Sequence, residues 1–104
     1  MINILRKIFG LGPQVDYKQL LKDGAIILDV RSKGEYTGGH INGSINIAVD
    51  TLSQQIGKLD KDKTIITCCA SGMRSAAAKS ILKSNGFKQV FNGEGWMGLQ
   101  QKIE

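Results

Sequence analysis

Residues 64–86 read TIITCCASGMRSAAAKSILKSNG, and the fold class turns on them. Residues 64–69 are apolar and β-branched, the composition of a buried strand. Residues 74–85 have helical spacing. Ala77, Ala78, Ile81 and Leu82 form an apolar stripe, Lys79 and Lys83 a wet face, and Gly86 a C-terminal stop. Between strand and helix lie Ala70, Ser71, Gly72 and Met73. A short loop past the carboxyl end of a strand is where open α/β sheets bind ligands.

The flanking segments continue the alternation. Upstream, Asp16 is placed to cap a helix over residues 17–22, closed by Asp23 and Gly24. Residues 25–30, AIILDV, predict a buried strand, and residues 33–36 a helical turn ended by Gly38 and Gly39. Residues 44–49, SINIAV, predict a second strand with Ile45 and Ile47 on one face. Asp50 is expected to cap a helix over residues 51–59, and residues 60–62 a turn. Downstream, residues 89–91 predict a short strand and residues 96–103 a last helix. Strands alternating with helices argue for a mainly parallel α/β sheet with right-handed crossovers.

At 104 residues the chain is long enough for one hydrophobic core and too short for two. The expected division is a short basic amphipathic segment, residues 1–13, and one domain, residues 14–104. Residues 1–12, MINILRKIFGLG, put their apolar side chains on one side of a helical wheel. They are expected to form a terminal helix docked on the domain or on a second copy of the chain, with weak contact with a membrane surface as the alternative. No apolar run approaches a bilayer span, and no secretory leader is legible.

The net charge of +5 is unevenly placed. From residue 63 to residue 93 there are five cations (Lys63, Arg74, Lys79, Lys83 and Lys88) and no carboxylate. That half of the chain favours anions, a thiolate included. Nucleic acid is not expected as a partner, because aromatic residues are 6% of the chain and no long basic run exists. Two adjacent cysteines cannot staple distant segments, so the thiols point to a reducing, cytoplasmic setting. With one histidine elsewhere, they make no metal site, and no cofactor is called for.

The loop itself predicts chemistry. Helix-initial amides lack partners inside the helix, and the helix dipole adds partial positive charge. Gly72 allows a turn that aims successive amides inward as a nest. A cysteine at the mouth of such a nest loses its proton readily. Cys69 is therefore the candidate nucleophile, with Ala70, Ser71, Gly72, Met73 and Arg74 as its cradle. Cys68 points to the other face of the strand and reads as core packing. The alternative for Cys69 is also a small buried hydrophobe. His40 lies in a separate segment, and its spacing does not support a Cys–His hydrolase pair.

Two signatures then carry a resemblance. One is LDVRSKGEYTGGHINGSINI, residues 28–47; the other is ITCCASGMRSAAAKSILKSNGF, residues 66–87. Together they resemble a single-domain rhodanese over residues 15–99. The resemblance implies a five-stranded, mainly parallel sheet flanked by helices. It also implies sulfur transfer through a persulfide on Cys69. The donor would be thiosulfate or a small or protein-bound persulfide, and the acceptor cyanide or a thiol. Asp29, Arg31, Glu35 and His40 match the first signature and are read as supporting residues, with Arg31 and Glu35 placed to pair across one turn.

Four residues separate Cys69 from Arg74. Phosphatases that resemble this family have a longer loop, so a phosphatase or arsenate reductase is the weaker alternative. A non-catalytic sulfur carrier or docking module is the stronger one. Ala70 and Met73 stand where the family often has polar or charged side chains, so contacts to the dianion thiosulfate would rest on amides and Arg74, and a persulfide is an equal candidate for the donor. Gly93-Glu94-Gly95-Trp96 interrupts the family's paired glycines, so the last helix is expected to sit differently.

Overall fold

The computed structural model describes residues 14–104. The expectations for residues 1–13 lie outside the described residues. Helix α1 (Tyr17–Lys22) precedes strand β1 (Ile26–Asp29), helix α2 (Lys33–Thr37) and strand β2 (Ile45–Asn46). Two 3-10 turns (Val49–Gln54 and Ile56–Lys58) lead to strand β3 (Ile65–Cys69) and helix α3 (Met73–Ser84). Strand β4 (Val90–Gly95) and helix α4 (Trp96–Ile103) complete the order.

The strands form one sheet in the order β2-β1-β3-β4, and every pairing is parallel. The chain leaves β1 towards β2, then crosses back to β3 on the other side of β1. The connections after β1 and β3 therefore diverge at a topological switch point, the crevice where such sheets bind ligands. This order sets α2 and the cysteine loop side by side.

All five residues of β3 are buried, as befits a strand paired on both edges and covered on both faces. Ile65 and Cys69 face one apolar cluster with Leu28, Leu52, Leu82 and Phe87. Ile66 and Cys68 face a second with Tyr17, Ile27, Ile41 and Leu99. Neighbouring cysteines thus belong to opposite layers, as the period of two requires.

Helix termini obey local chemistry. Asp16 accepts from the Gln19 amide at 3.1 Å, capping α1. Ser32 and Glu35 close a capping box on α2. At the end of α3 the Phe87 amide donates to the Leu82 carbonyl at 3.1 Å, and the Phe87 ring packs back into the same core.

Four expectations need correction. The described residues form four strands rather than five. Strand β2 is two residues long, so Ile45 is 40% exposed while Ile47 is buried. Asn46 donates its side-chain amide to the carbonyls of Asp29 and Arg31 at 3.0 and 2.9 Å, beside main-chain bonds from Ile47 to Asp29 and from Val49 to Val30. Residues 51–59 form 3-10 turns, with Ala48 at the N-cap and Asp50 inside the first turn. Gly57 and the β-branched Thr51 and Ile56 give that stretch little α-helical propensity. On α3 the buried residues are Ser75, Ala78 and Leu82, while Ala77 is exposed.

Candidate active site

Strand β3 delivers Cys69 to the carboxyl end of the sheet, and four residues later α3 begins. Gly72, the N-cap of α3, has φ +110°, a left-handed conformation that a side chain would strain. It brings the Gly72 amide to 3.0 Å from Cys69 Sγ. The Ser75 amide, in the first turn, lies 3.4 Å from the same sulfur, and its Oγ 3.5 Å. This nest of amides, from Gly72 within the expected cradle and from Ser75 outside it, is focused on sulfur.

The cysteine sits at the floor of that nest and not at its mouth. Cys69 is only 1% exposed, whereas Met73 above it is 82% exposed. Burial alone would push the Cys69 thiol up. Hydrogen bonds from the Ser75 hydroxyl and from the amides of Ser75, Gly72 and Ser71 outweigh it, and the thiol falls below its ordinary value. Cys68 has no such donors. Burial, and then the nearby Asp29 carboxylate, push it up to about 12.

Behind the loop lies a polar layer that the sequence reading did not single out. Ser75 Oγ is 2.6 Å from Asn92 Oδ1 and 3.0 Å from the Gly72 carbonyl. Asn92 Oδ1 also accepts from the Glu94 amide at 2.9 Å. Thr67 Oγ1 donates to the Ser75 carbonyl at 2.9 Å. The hydroxyl proton of Ser75 thus chooses among neighbouring acceptors, and an ionised Cys69 is one of them. The only signal for Ser75 was its place next to Arg74; a serine within an alanine run reads as helix surface.

Strand β4 reaches this layer by a bulge. Thr67 pairs with Asn92 and Cys69 with Gly95, so three residues of β3 oppose four of β4. Glu94 takes φ +67° there. A Cβ on Gly93 would meet the Thr67 carbonyl oxygen at 2.8 Å and Leu99 Cδ2 at 2.9 Å. The bulge sets the Glu94 backbone and Cβ against Gly72, about 3.5 Å from where a Cβ there would lie.

A family model for the Rhodanese-like domain matches residues 14–101. The chain belongs to the rhodanese-like family. It is 36% identical over 77 residues to the tRNA uridine(34) hydroxylase of Sodalis glossinidius, covering 68% of this chain and 22% of that protein. It is 35% identical over 71 residues to YqhL of Bacillus subtilis, covering 68% of this chain and 56% of that protein. A rhodanese from E. coli, solved with anions, superposes with a TM-score of 0.68 at 31% identity, over 72% of this chain and 91% of that one. This rhodanese-like chain therefore spans less than two thirds of each curated relative just named.

Within the rhodanese-like frame, the first signature does structural work and also meets the cysteine loop. Asp29 and Arg31 are both buried. The Arg31 guanidinium grips the Asp29 carboxylate through Nε at 3.0 and 3.1 Å and Nη2 at 2.7 Å. It also donates to the Gly39 carbonyl at 2.7 Å and lies 4.8 Å from the centre of the Trp96 ring. His40 stacks on Tyr36 at 3.8 Å, with Nδ1 2.7 Å from the Tyr36 carbonyl oxygen.

The expected Arg31–Glu35 pair is replaced. Arg31 reaches only the Glu35 main-chain carbonyl, at 3.4 Å. The Glu35 carboxylate forms a two-pronged ion pair with Arg74, at 2.7 and 3.0 Å. The capping box turns Glu35 towards the start of α2, and the switch point places α3 opposite. Arg74, then the Ser32 amide, hold the Glu35 carboxyl down to about 2. A cleft of about 320 Å³ lined by Arg31, Glu35, Trp96, Met97 and three glycines adjoins this pair. No helix among the described residues is long and apolar enough to cross a membrane.

Proposed function

We propose that this protein is a sulfurtransferase that carries a sulfane sulfur as a persulfide on Cys69. The observation that supports it best is the pair of amides, from Gly72 and Ser75, converging on one sulfur at 3.0 and 3.4 Å. Such donors stabilise a thiolate before attack and again when it is released.

In the first half-reaction the Cys69 thiolate attacks the sulfane sulfur of the donor. The new Sγ–S bond forms as the bond from that sulfur to the rest of the donor breaks. The leaving group, sulfite from thiosulfate or a thiolate from a persulfide, departs with the electron pair. In the second, a thiol or cyanide attacks the outer sulfur and Cys69 leaves as thiolate. No electrons are gained or lost overall. Ser71, Gly72 and Ser75 hold the charge, Ala70 and Met73 border the approach, and Arg74 stands at the rim.

With Cys69 only 1% exposed, the atom under attack has to be terminal and slender. A sulfane sulfur meets that requirement. A phosphorus enclosed by four oxygens meets it poorly, in keeping with the short loop. Two thiols without a disulfide fit a cytoplasmic setting. The hydroxylase activity in the relatives' name is not carried over, since the shared stretch is 22% of that protein.

Incubation with a sulfane donor is expected to add one sulfur atom to Cys69, read by mass spectrometry of the intact chain and its peptides. Cys69→Ser abolishes the adduct and Cys68→Ser retains it. Steady turnover with an added thiol or cyanide distinguishes an enzyme from a carrier. Sulfur on Cys68, or on neither residue with any donor, overturns the reading. So does hydrolysis of an aryl phosphate that depends on Cys69.

A further inference from the structure

The mouth of the cysteine loop has one cationic side chain and two carboxylates. Arg74 is the cation of the cradle. Both prongs of its guanidinium are taken by Glu35, and each side chain of that pair is 38% exposed. Arg74 therefore presents little positive charge to an incoming anion. Glu94 stands on the bulge of β4, beside the loop at Gly72. It is exposed, packs its Cβ against Gly72, and forms no ion pair among the described residues. Its backbone has φ +67°, which any residue but glycine adopts at a cost. Glycine would relieve that strain, yet a carboxylate occupies the bulge. The basic stretch read from residues 63–93 thus ends in a mouth whose net charge is already negative and grows more so when Cys69 ionises.

Resting on the sulfurtransferase reading, we infer that Glu35 and Glu94 set donor selectivity. They exclude the dianion thiosulfate in favour of a persulfide of lower charge, R–S–SH. Glu35 does so by occupying Arg74, and Glu94 by direct repulsion across Gly72. The step balances: Cys69–S⁻ attacks the outer sulfur of R–S–SH, giving Cys69–S–SH and R–S⁻, and the donor's own S–S bond supplies the leaving electron pair. Neither carboxylate touches the reacting sulfur. Both act on the charge of what is admitted.

The experiment compares the rates at which Cys69 is loaded by thiosulfate and by cysteine persulfide, by rapid quench and mass spectrometry. It uses the full chain at low and at high salt. Glu35→Gln keeps an acceptor for the capping box, and Glu94→Gln alters an exposed side chain; circular dichroism checks that both fold. Each substitution is expected to raise the thiosulfate-to-persulfide rate ratio about threefold to tenfold at low salt. The two gains multiply in the double variant and shrink as salt screens the charges. A structural role alone would slow both donors together and leave the ratio in place. Loading with a ratio that neither variant moves overturns this inference and leaves the sulfurtransferase reading standing. No loading of the unmodified chain by either donor overturns both.

Discussion

Cys68 and Cys69 leave β3 on opposite sides, and that alternation divides their chemistry. Burial acts on both sulfurs; only Cys69 is met by amides and a hydroxyl. The thiolate ultraviolet absorbance of the folded chain should therefore rise in two separate steps. The first, from Cys69, falls below the range of an ordinary thiol, and the second, from Cys68, lies near 12. Ser75→Ala removes the hydroxyl while leaving its amide, so the first step should move up in pH and the second stay. This readout does not require a reagent to reach a sulfur that is 1% exposed. A single rise at or above the ordinary range would remove the basis of the site. The place of Cys69, between a buried strand and a glycine-bearing loop, was legible from the apolar run and Gly72. Ser75 and Asn92 were not, since their importance lies in contacts between segments distant in sequence.

At the scale of elements, the Glu35–Arg74 pair joins α2 to α3 across the switch point of the sheet. Glu35 has a folded-state pKa of about 2 against 4.5 for the free group. A depressed carboxyl contributes stability that is fully present above the unfolded value. It is lost as pH falls through the folded one. Acid titration monitored by urea unfolding should accordingly show wild-type stability declining between about pH 4.5 and 2, with Glu35→Gln lacking this part of the decline. Parallel curves for the two proteins would mean that the pair does not persist in solution. The partner of Glu35 was misread because helical spacing favours Arg31, four residues before it. Asp29 had already claimed that guanidinium through burial. Strands β1 and β3 and helices α1, α3 and α4 were readable from apolar runs, caps and period. The segment after β2 was not, because the chain turns into a 3-10 helix at Val49 while Ile47 and Val49 still donate main-chain bonds to β1, a course that apolar alternation does not distinguish from a strand.

For the whole molecule, the sheet holds two apolar layers apart, and β4 is the edge strand at which one of them meets the active site. Gly93 is where tolerance is least. An added methyl would approach the Thr67 carbonyl, Leu99 and Ile66 at 2.8, 2.9 and 3.0 Å, and all three are main-chain or fully buried groups. Relief requires β4 to move away from β3, and Asn92, one residue earlier, would move with it. Gly93→Ala should therefore lose on the order of 1–3 kcal/mol in urea unfolding, as overpacked cores do. It should also raise the Cys69 titration, because Asn92 no longer positions Ser75. Gly34→Ala is the control, since its methyl would enter open space on α2 and alanine is the better helix former. That variant should stay within about 0.5 kcal/mol of the parent or gain slightly. Equal behaviour of the two variants would show that β4 yields without strain and that the cradle does not depend on where this strand lies.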